Sequence, residues 1–350
     1  MGIAVTITDL RKDFSGENAL AGLSLDIPQG SIFGIIGADG AGKTTLLRIC
    51  ATLIAADAGS VRILTYDVNT EHQRIRAEIG YMPQKFSLYE DLTVQENMLF
   101  FADVFGVPMA ERRSRIERLL TFSRMQAAQH RRAGQLSGGM KQKLALSCAL
   151  IHTPRLLILD EPTTGVDPVS RNEFWKILRE LQKDGITIIV STPYMDEAEY
   201  CDEIVLMHAG KILLRTTPQA AASQYPLHLY RVAGKEGISL SYPAYAPVPA
   251  GLAALYPVGG NLHAASATEE SPERIFASVK EAVPLADTIE PVQPKINDLF
   301  FYQYLSVVKT ASGPPPAAQK THGGHNPAEK IRAVIAKIKD RKRPKNNHSR

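Results

Sequence analysis

Residues 31–45 read SIFGIIGADGAGKTT. An unbroken apolar run, residues 32–36, leads into Gly37, Ala38, Asp39, Gly40, Ala41, Gly42, Lys43 and Thr44, and a helical pattern follows through Thr45, Leu46, Leu47, Ile49 and Cys50. A short apolar run bounded by glycine reads as a buried strand, and the 3.6-residue period after it reads as a helix. The glycines let the main chain wrap tightly, so that its N–H groups can point at phosphate oxygens. The G-x-x-x-x-G-K-[ST] spacing between a strand and a helix is the context a phosphate-binding loop requires. The helix N-terminus adds positive potential there. On this reading Lys43 reaches the outer phosphates and the Thr44 hydroxyl ligates Mg2+. The plain alternative is a glycine-rich turn that carries a lysine.

A second apolar strand, residues 156–159, ends in Asp160 and Glu161. A carboxylate at the C-terminal end of a parallel strand faces the ligand crevice of an α/β fold. Asp160 suits a Mg2+ shell, and Glu161 suits a water that attacks phosphorus. The alternative is an acidic pair that caps a loop. Shortly before it stands LSGGMKQ, residues 136–142. Ser137 is a good N-cap, and Gly138 and Gly139 open a helix N-terminus to an anion. An ordinary capped helix is the alternative.

Taken together and in this order, these stretches resemble the ATPase domains of ABC transporters over about residues 3–215. Residues 37–44 are similar to the Walker A motif, 156–160 to Walker B and 136–142 to the signature motif. The resemblance implies an α/β fold with a RecA-like core, an antiparallel β subdomain and a helical subdomain at about residues 85–140. It implies ATP and Mg2+ as ligands. Phe14 is then the aromatic residue that stacks on adenine, and Gln84, in YMPQ, lies near Mg2+ and the membrane partner. Asp167 belongs to the D-loop. Glu161 becomes the catalytic base, assisted by Gln84 and Lys43, and Thr44, Gln84 and Asp160 surround the metal. The resemblance also implies a head-to-tail dimer with a second ATPase subunit, in which Ser137, Gly138 and Gly139 complete the partner's ATP site. A separate multi-span permease completes the system, and the chain is expected at the cytoplasmic face of the inner or plasma membrane. The expected activity is ATP hydrolysis that powers export of a drug or another small molecule. A soluble ABC protein acting on ribosomes or another cytosolic assembly, or a weakly hydrolysing regulator, is the alternative.

One position departs from the family. In the family the strand at residues 186–192, which runs into STPYMDE (191–197), is usually followed by a histidine that contacts the γ-phosphate, and here the residue is Pro193. Proline has neither a side-chain donor nor a backbone N–H. A slow rather than dead site is expected, with Thr192 and Tyr194 as substitutes. Tyr81, Phe86, Leu88 and Tyr89 are candidates for a permease-binding groove, with core of the helical subdomain as the alternative.

The remaining third is less informative. Residues 216–308 read as a small α+β domain, with a strand at 227–232, a short helix at 250–255, a strand at 261–265, a helix opened by Ser271 and Pro272, and a final helix through Asp298, Leu299 and Phe300. They are similar to the appendage of drug- and antibiotic-exporting ABC ATPases. Residues 309–350 read as a linker and a basic amphipathic tail. Residues 311–350 hold ten Lys/Arg against Glu329 and Asp340, while the rest holds thirty against thirty-four acidic residues. The body is thus mildly acidic and gives no electrostatic argument for nucleic acid. The tail could lie on an anionic membrane, touch RNA or remain solvated. His322 and His325 lack Cys or carboxylate neighbours for a metal site. The three cysteines are dispersed, as expected of reduced structural residues. The N-terminus lacks a secretory pattern, and no apolar run is long enough to span a bilayer.

Overall fold

A computed structural model describes residues 2–85, 87–243 and 246–311. The readings of Phe86 and of residues 312–350, including His322, His325 and the amphipathic tail, lie outside the described residues. The chain divides into two compact units, Met1–Pro218 and Gln219–Arg350.

In the first unit, β1 (Ile3–Phe14), β2 (Glu17–Pro28), β4 (Ala58–Ile63) and β5 (Tyr66–Asp67) form an antiparallel sheet in the order β2-β1-β4-β5. A six-stranded sheet follows the order β10-β9-β3-β8-β7-β6. Its members are β3 (Ile32–Ile36), β6 (Ile79–Met82), β7 (Leu156–Asp160), β8 (Thr187–Thr192), β9 (Glu203–His208) and β10 (Lys211–Thr216). Neighbouring strands from β9 to β6 run parallel, and β10 is antiparallel at the edge. Strands β3, β7 and β8 are buried along their whole length, which is why they read as unbroken apolar runs. Helix α1 (Lys43–Cys50) leaves the glycine loop, α2 (His72–Glu78) precedes β6, and α6 (Pro168–Lys183) connects β7 to β8.

Helices α3 (Val94–Val104), α4 (Met109–Phe122) and α5 (Gly138–Leu150) build a separate apolar core around Val94, Met98, Ile116, Leu120, Leu144 and Cys148. Thr93 opens α3 with a complete capping box to Glu96. Asn97 is fully buried and pins the preceding turn through Tyr89, Leu92 and Thr93. Among the described residues, no helix is long and apolar enough to cross a membrane.

The second unit contains α7 (Ala221–Gln224) and a sheet ordered β12-β13-β11-β14. Its strands are β11 (His228–Gly234), β12 (Ala254–Val258), β13 (Asn261–Ser266) and β14 (Ala286–Pro291), with α8 (Pro272–Ala282) and α9 (Ile296–Ala311). Ser271 caps α8, with proline in its first turn. The expected helix at 250–255 is not formed. Residues 254 and 255 instead start β12, because pairing with β13 from Ala254 to Val258 overrides the helical preference of Ala and Leu. Residues 309–311, expected in a linker, continue α9. Asp298 in α9 is buried, accepting from Tyr256 Oη at 2.9 Å and from Lys295 N at 2.8 Å, with His263 Nδ1 at 2.6 Å. The free cysteines Cys50, Cys148 and Cys201 are all buried, and burial pushes their thiols well above the ordinary range.

Candidate nucleotide site

The strand order decides what meets at the site. Because β8 lies between β3 and β7, its C-terminal end separates the glycine loop from the acidic pair. Ile36 pairs with Thr192, and Asp160 pairs with Ser191. The loop is tied down by Gly37 N donating to Thr192 O at 3.3 Å, and by Ala41 N donating to Ala38 O at 3.1 Å. Gly42 is in the left-handed region with φ 101°, and a Cβ there would lie 2.4 Å from Ala19 O. Only glycine fits that turn.

Lys43 is buried and folds back over the loop, donating to Gly37 O at 2.9 Å and Ala38 O at 3.1 Å. Its Nζ lies 3.3 Å from Glu161 Oε1. Glu161 Oε2 accepts from Gln84 Nε2 at 2.9 Å and from Thr164 Oγ1 at 3.3 Å. The Glu161 backbone is left-handed, with φ 49°. That conformation costs a non-glycine residue about 1 kcal/mol. It is held by Glu161 N donating to both Ser191 O and Ser191 Oγ.

Asp160 is fully buried. Its Oδ1 accepts from Thr44 Oγ1 at 3.0 Å and Ser191 Oγ at 2.7 Å, but its Oδ2 has no hydrogen-bond partner. A buried carboxylate oxygen left bare is costly in isolation. With a hydroxyl beside it, this hard oxygen set fits a Mg2+ ion that also takes phosphate oxygens.

Phe14, Asp39, Gly40, Gly42, Lys43, Thr44, Thr45, Gln84 and Glu161 line one cleft of about 320 Å³. Phe14 is half exposed at the end of β1, with Lys12 Nζ 5.3 Å from its ring. Ser137, Gly138, Gly139 and Asp167 do not line that cleft. Ser137 Oγ caps α5 by accepting from Met140 N, and Asp167 Oδ1 caps α6 by accepting from Ser170 N at 2.9 Å. The bonds from Ser170 hold the Asp167 carboxyl below the usual range. The two glycines differ. A Cβ on Gly139 would sit 2.6 Å from Ser170, whereas Gly138 faces nothing nearer than Gly165 O at 3.9 Å.

Known proteins resemble this chain over the same unit. The profile of the ABC transporter family matches residues 20–164. The Nod factor export ATP-binding protein I of Rhizobium sp. (strain N33) is 38% identical over 224 residues, covering 64% of this chain and 74% of that protein. The chain belongs to the ABC transporter family of ATP-binding proteins. A protein named probable multidrug ABC transporter ATP-binding protein YbhF, from Escherichia coli (strain K12), is 45% identical over 218 residues. That match takes in 62% of this chain but spans only 38% of YbhF. Among solved structures, cbiO1 of Clostridium perfringens, part of the cbiONQ ABC transporter complex, aligns with a TM-score of 0.59 at 29% identity. It covers 64% of this chain and 92% of its own. The cassette MJ0796, seen as a dimer in a post-hydrolysis state with ADP and phosphate, aligns at 0.56 with 28% identity, covering 61% and 98%.

The ABC fold also corrects several expectations. Thr192 cannot stand in for the family histidine, because its hydroxyl donates to Glu197 Oε2 at 2.6 Å. The Tyr194 ring packs under Arg171, 5.2 Å from its Cζ. Tyr81 packs against the main core and Leu88 lies inside the helical core, so neither forms an open groove. Tyr89 is half exposed and meets Phe100 edge to face. Ser191, Thr164 and Glu197 were missed. Ser191 is an ordinary strand residue in sequence, and the β7–β8 register, which pairs it with Asp160, brings it to the site.

Proposed function

We propose that the chain binds and hydrolyses ATP to power export of a small molecule through separate permease subunits. The observation that carries this reading is the bare Oδ2 of Asp160 beside the Thr44 hydroxyl, with Glu161 held one residue away by Lys43 and Gln84. Lys43 exchanges its loop carbonyls and Glu161 for the outer phosphates, and the loop N–H groups bind the remaining oxygens. Thr44 and Asp160, with Gln84 nearby, hold Mg2+, which neutralises phosphate charge when bound. Release of Lys43 and Gln84 frees the Glu161 carboxylate to orient water and accept its proton. Phe14 stacks on the base.

Glycine at 138 leaves the start of α5 open, which supports a role for Ser137 to Gly139 at the ATP of a second subunit. Asp167 holds the neighbouring helix start. Tyr89, Leu99, Phe100, Val104 and Met109 expose apolar side chains on the helical subdomain, which supports permease docking there. The protein then works peripherally at the cytoplasmic face of the membrane, and the basic tail adds contact with anionic lipid.

The test is twofold. Phosphate release from ATP is measured with Mg2+, with EDTA, and for Glu161→Gln. Purification from native cells in mild detergent then identifies stoichiometric partners. Mg2+-dependent turnover lost in Glu161→Gln, with a multi-span membrane protein co-purifying, is expected. Ribosomal partners without a membrane protein would replace the export reading with action on a cytosolic assembly.

A further inference from the structure

One fully buried carboxylate lies behind the site with no role assigned to it so far. Glu197 lies in the 3-10 turn Met195–Tyr200 that follows β8, with no exposed surface. Its Oε2 accepts from Thr192 Oγ1 at 2.6 Å, and its Oε1 accepts from Thr163 Oγ1 at 2.6 Å. Arg171 Nε stands 3.4 Å from the same Oε1. Each partner belongs to a different segment, and each segment carries a site residue. Thr163 is two residues beyond Glu161. Thr192 is the residue before Pro193, and its carbonyl receives Gly37 N of the glycine loop. Arg171 is in the first turn of the helix that Asp167 caps.

A carboxylate withdrawn from water costs several kcal/mol unless it is partnered. Burial pushes Glu197 above the ordinary range, against the opposing bonds from Thr163 and Thr192 and the charge of Arg171. Well-packed apolar residues would hold three segments together at no such cost. What a carboxylate adds is direction, because two short hydrogen bonds fix two hydroxyls at defined positions. Pro193 has no polar side chain with which to hold the end of β8 from within the site. That end is instead gripped from behind, through Thr192.

We propose that Glu197 is a positioning residue for hydrolysis, setting the Thr192–Pro193 segment and the Glu161 loop against each other and tying both to helix α6. This rests on the ATPase reading above. The side-chain partners Thr163, Thr192 and Arg171 do not line the nucleotide cleft, so loss of Glu197 acts on the chemical step rather than on binding.

Steady-state ATP hydrolysis by the full chain tests this with Glu197→Gln, Thr192→Val and the double variant, scaled to folded protein. Misplacing a catalytic group by a fraction of an ångström to one ångström costs roughly ten- to a hundredfold in rate. The expected result is a fall of that order in kcat for Glu197→Gln, with KM for ATP within about twofold of wild type. Thr192→Val falls similarly, and the double variant falls little further, because both changes break one connection. Should Glu197→Gln not fold, Thr192→Val and Thr163→Val carry the test, since each removes one hydroxyl and keeps the side-chain volume. Unchanged kcat with lowered thermal stability overturns the proposal in favour of a purely structural clamp. A rise in KM without a fall in kcat also overturns it. If the wild type itself does not turn over ATP, the ATPase reading fails first and this assignment with it.

Discussion

Removing one oxygen, in Ser191→Ala, probes how the acidic pair is held. Ser191 Oγ donates to Asp160 Oδ1 at 2.7 Å and accepts from Glu161 N at 3.0 Å. The Glu161 N–H keeps a second acceptor, Ser191 O at 3.1 Å, so the variant leaves no orphaned donor there. Asp160 is less fortunate. It keeps only Thr44 Oγ1 on Oδ1, and its Oδ2 is already unpartnered. A hydrogen bond to a charged group contributes about 1.5–3 kcal/mol, and full burial denies Asp160 water as a replacement. We therefore take about 2 kcal/mol. For a unit of this size each kcal/mol moves Tm by roughly 2–4 °C, so Tm falls by roughly 4–8 °C. The assay is specific. Trp175 is the single tryptophan, buried in α6 and stacked on Tyr200, so its fluorescence follows unfolding of the first unit alone. Mg2+ with nucleotide should narrow the gap to wild type by giving Asp160 a charged partner. A shift below about 1 °C, where roughly 4–8 °C is calculated, would refute the reasoning. So would a Ser191→Ala/Asp160→Asn double variant that loses the full sum of the single effects, since residues in one bond cannot act independently.

Pro193→His should raise turnover by about tenfold or more, since one positioned polar group commonly carries 10²–10³ in rate. Phosphate release at saturating ATP measures it, and no increase with folding and ATP binding intact would remove the account of Pro193. Gly139→Ala should destabilise the first unit by about 1–3 kcal/mol through the 2.6 Å approach to Ser170, whereas Gly138→Ala should melt no lower than wild type yet hydrolyse more slowly. Equal melting of the two variants in the tryptophan assay would contradict the packing argument. Asp298→Asn should weaken the second unit by about 1–3 kcal/mol, seen by circular dichroism while the tryptophan transition stays unchanged. Burial pushes the Asp298 carboxyl up, but bonds from His263, Lys295 N and Tyr256 outweigh it and hold the group below its ordinary value. A depressed carboxylate stabilises fully above its unfolded value of about 4 and loses that contribution as pH falls further. The gap between wild type and Asp298→Asn should therefore close in acid, and a gap that widens there would reverse the assignment.

Residues 37–44, 136–142 and 156–161 were legible because each is a local device. A strand, a turn and a helix start lie within a dozen positions, and the chemistry follows from their order. Ser191, Thr163 and Glu197 were not legible for the opposite reason. They are an ordinary strand serine, a loop threonine and one of several acidic residues in a helical stretch, and long-range pairing brings them to the site. The glycines of the signature stretch show a third case. Sequence reads both as openings for an anion, while packing separates them into one pressed against Ser170 and one with no neighbour nearer than Gly165 O at 3.9 Å. At 250–255 a short run of Ala, Gly and Leu carries no decisive period, and its partner strand settles the conformation.

The same register explains how a proline can occupy position 193 without dismantling the site. Strand β8 borders both the glycine loop and the acidic strand, so a polar residue at its end would touch both. The two hydroxyls just before the proline are already assigned, Ser191 to Asp160 and Thr192 to Glu197. The carbonyl of Thr192 holds Gly37, and that of Ser191 holds Glu161. The bonds that β8 itself gives to the loop and to the acidic pair thus all come from residues 191 and 192. Position 193 is left with the one task that a side chain there could perform, contact with the ligand itself. Substitution at 193 therefore changes rate while the architecture that binds phosphate stays in place.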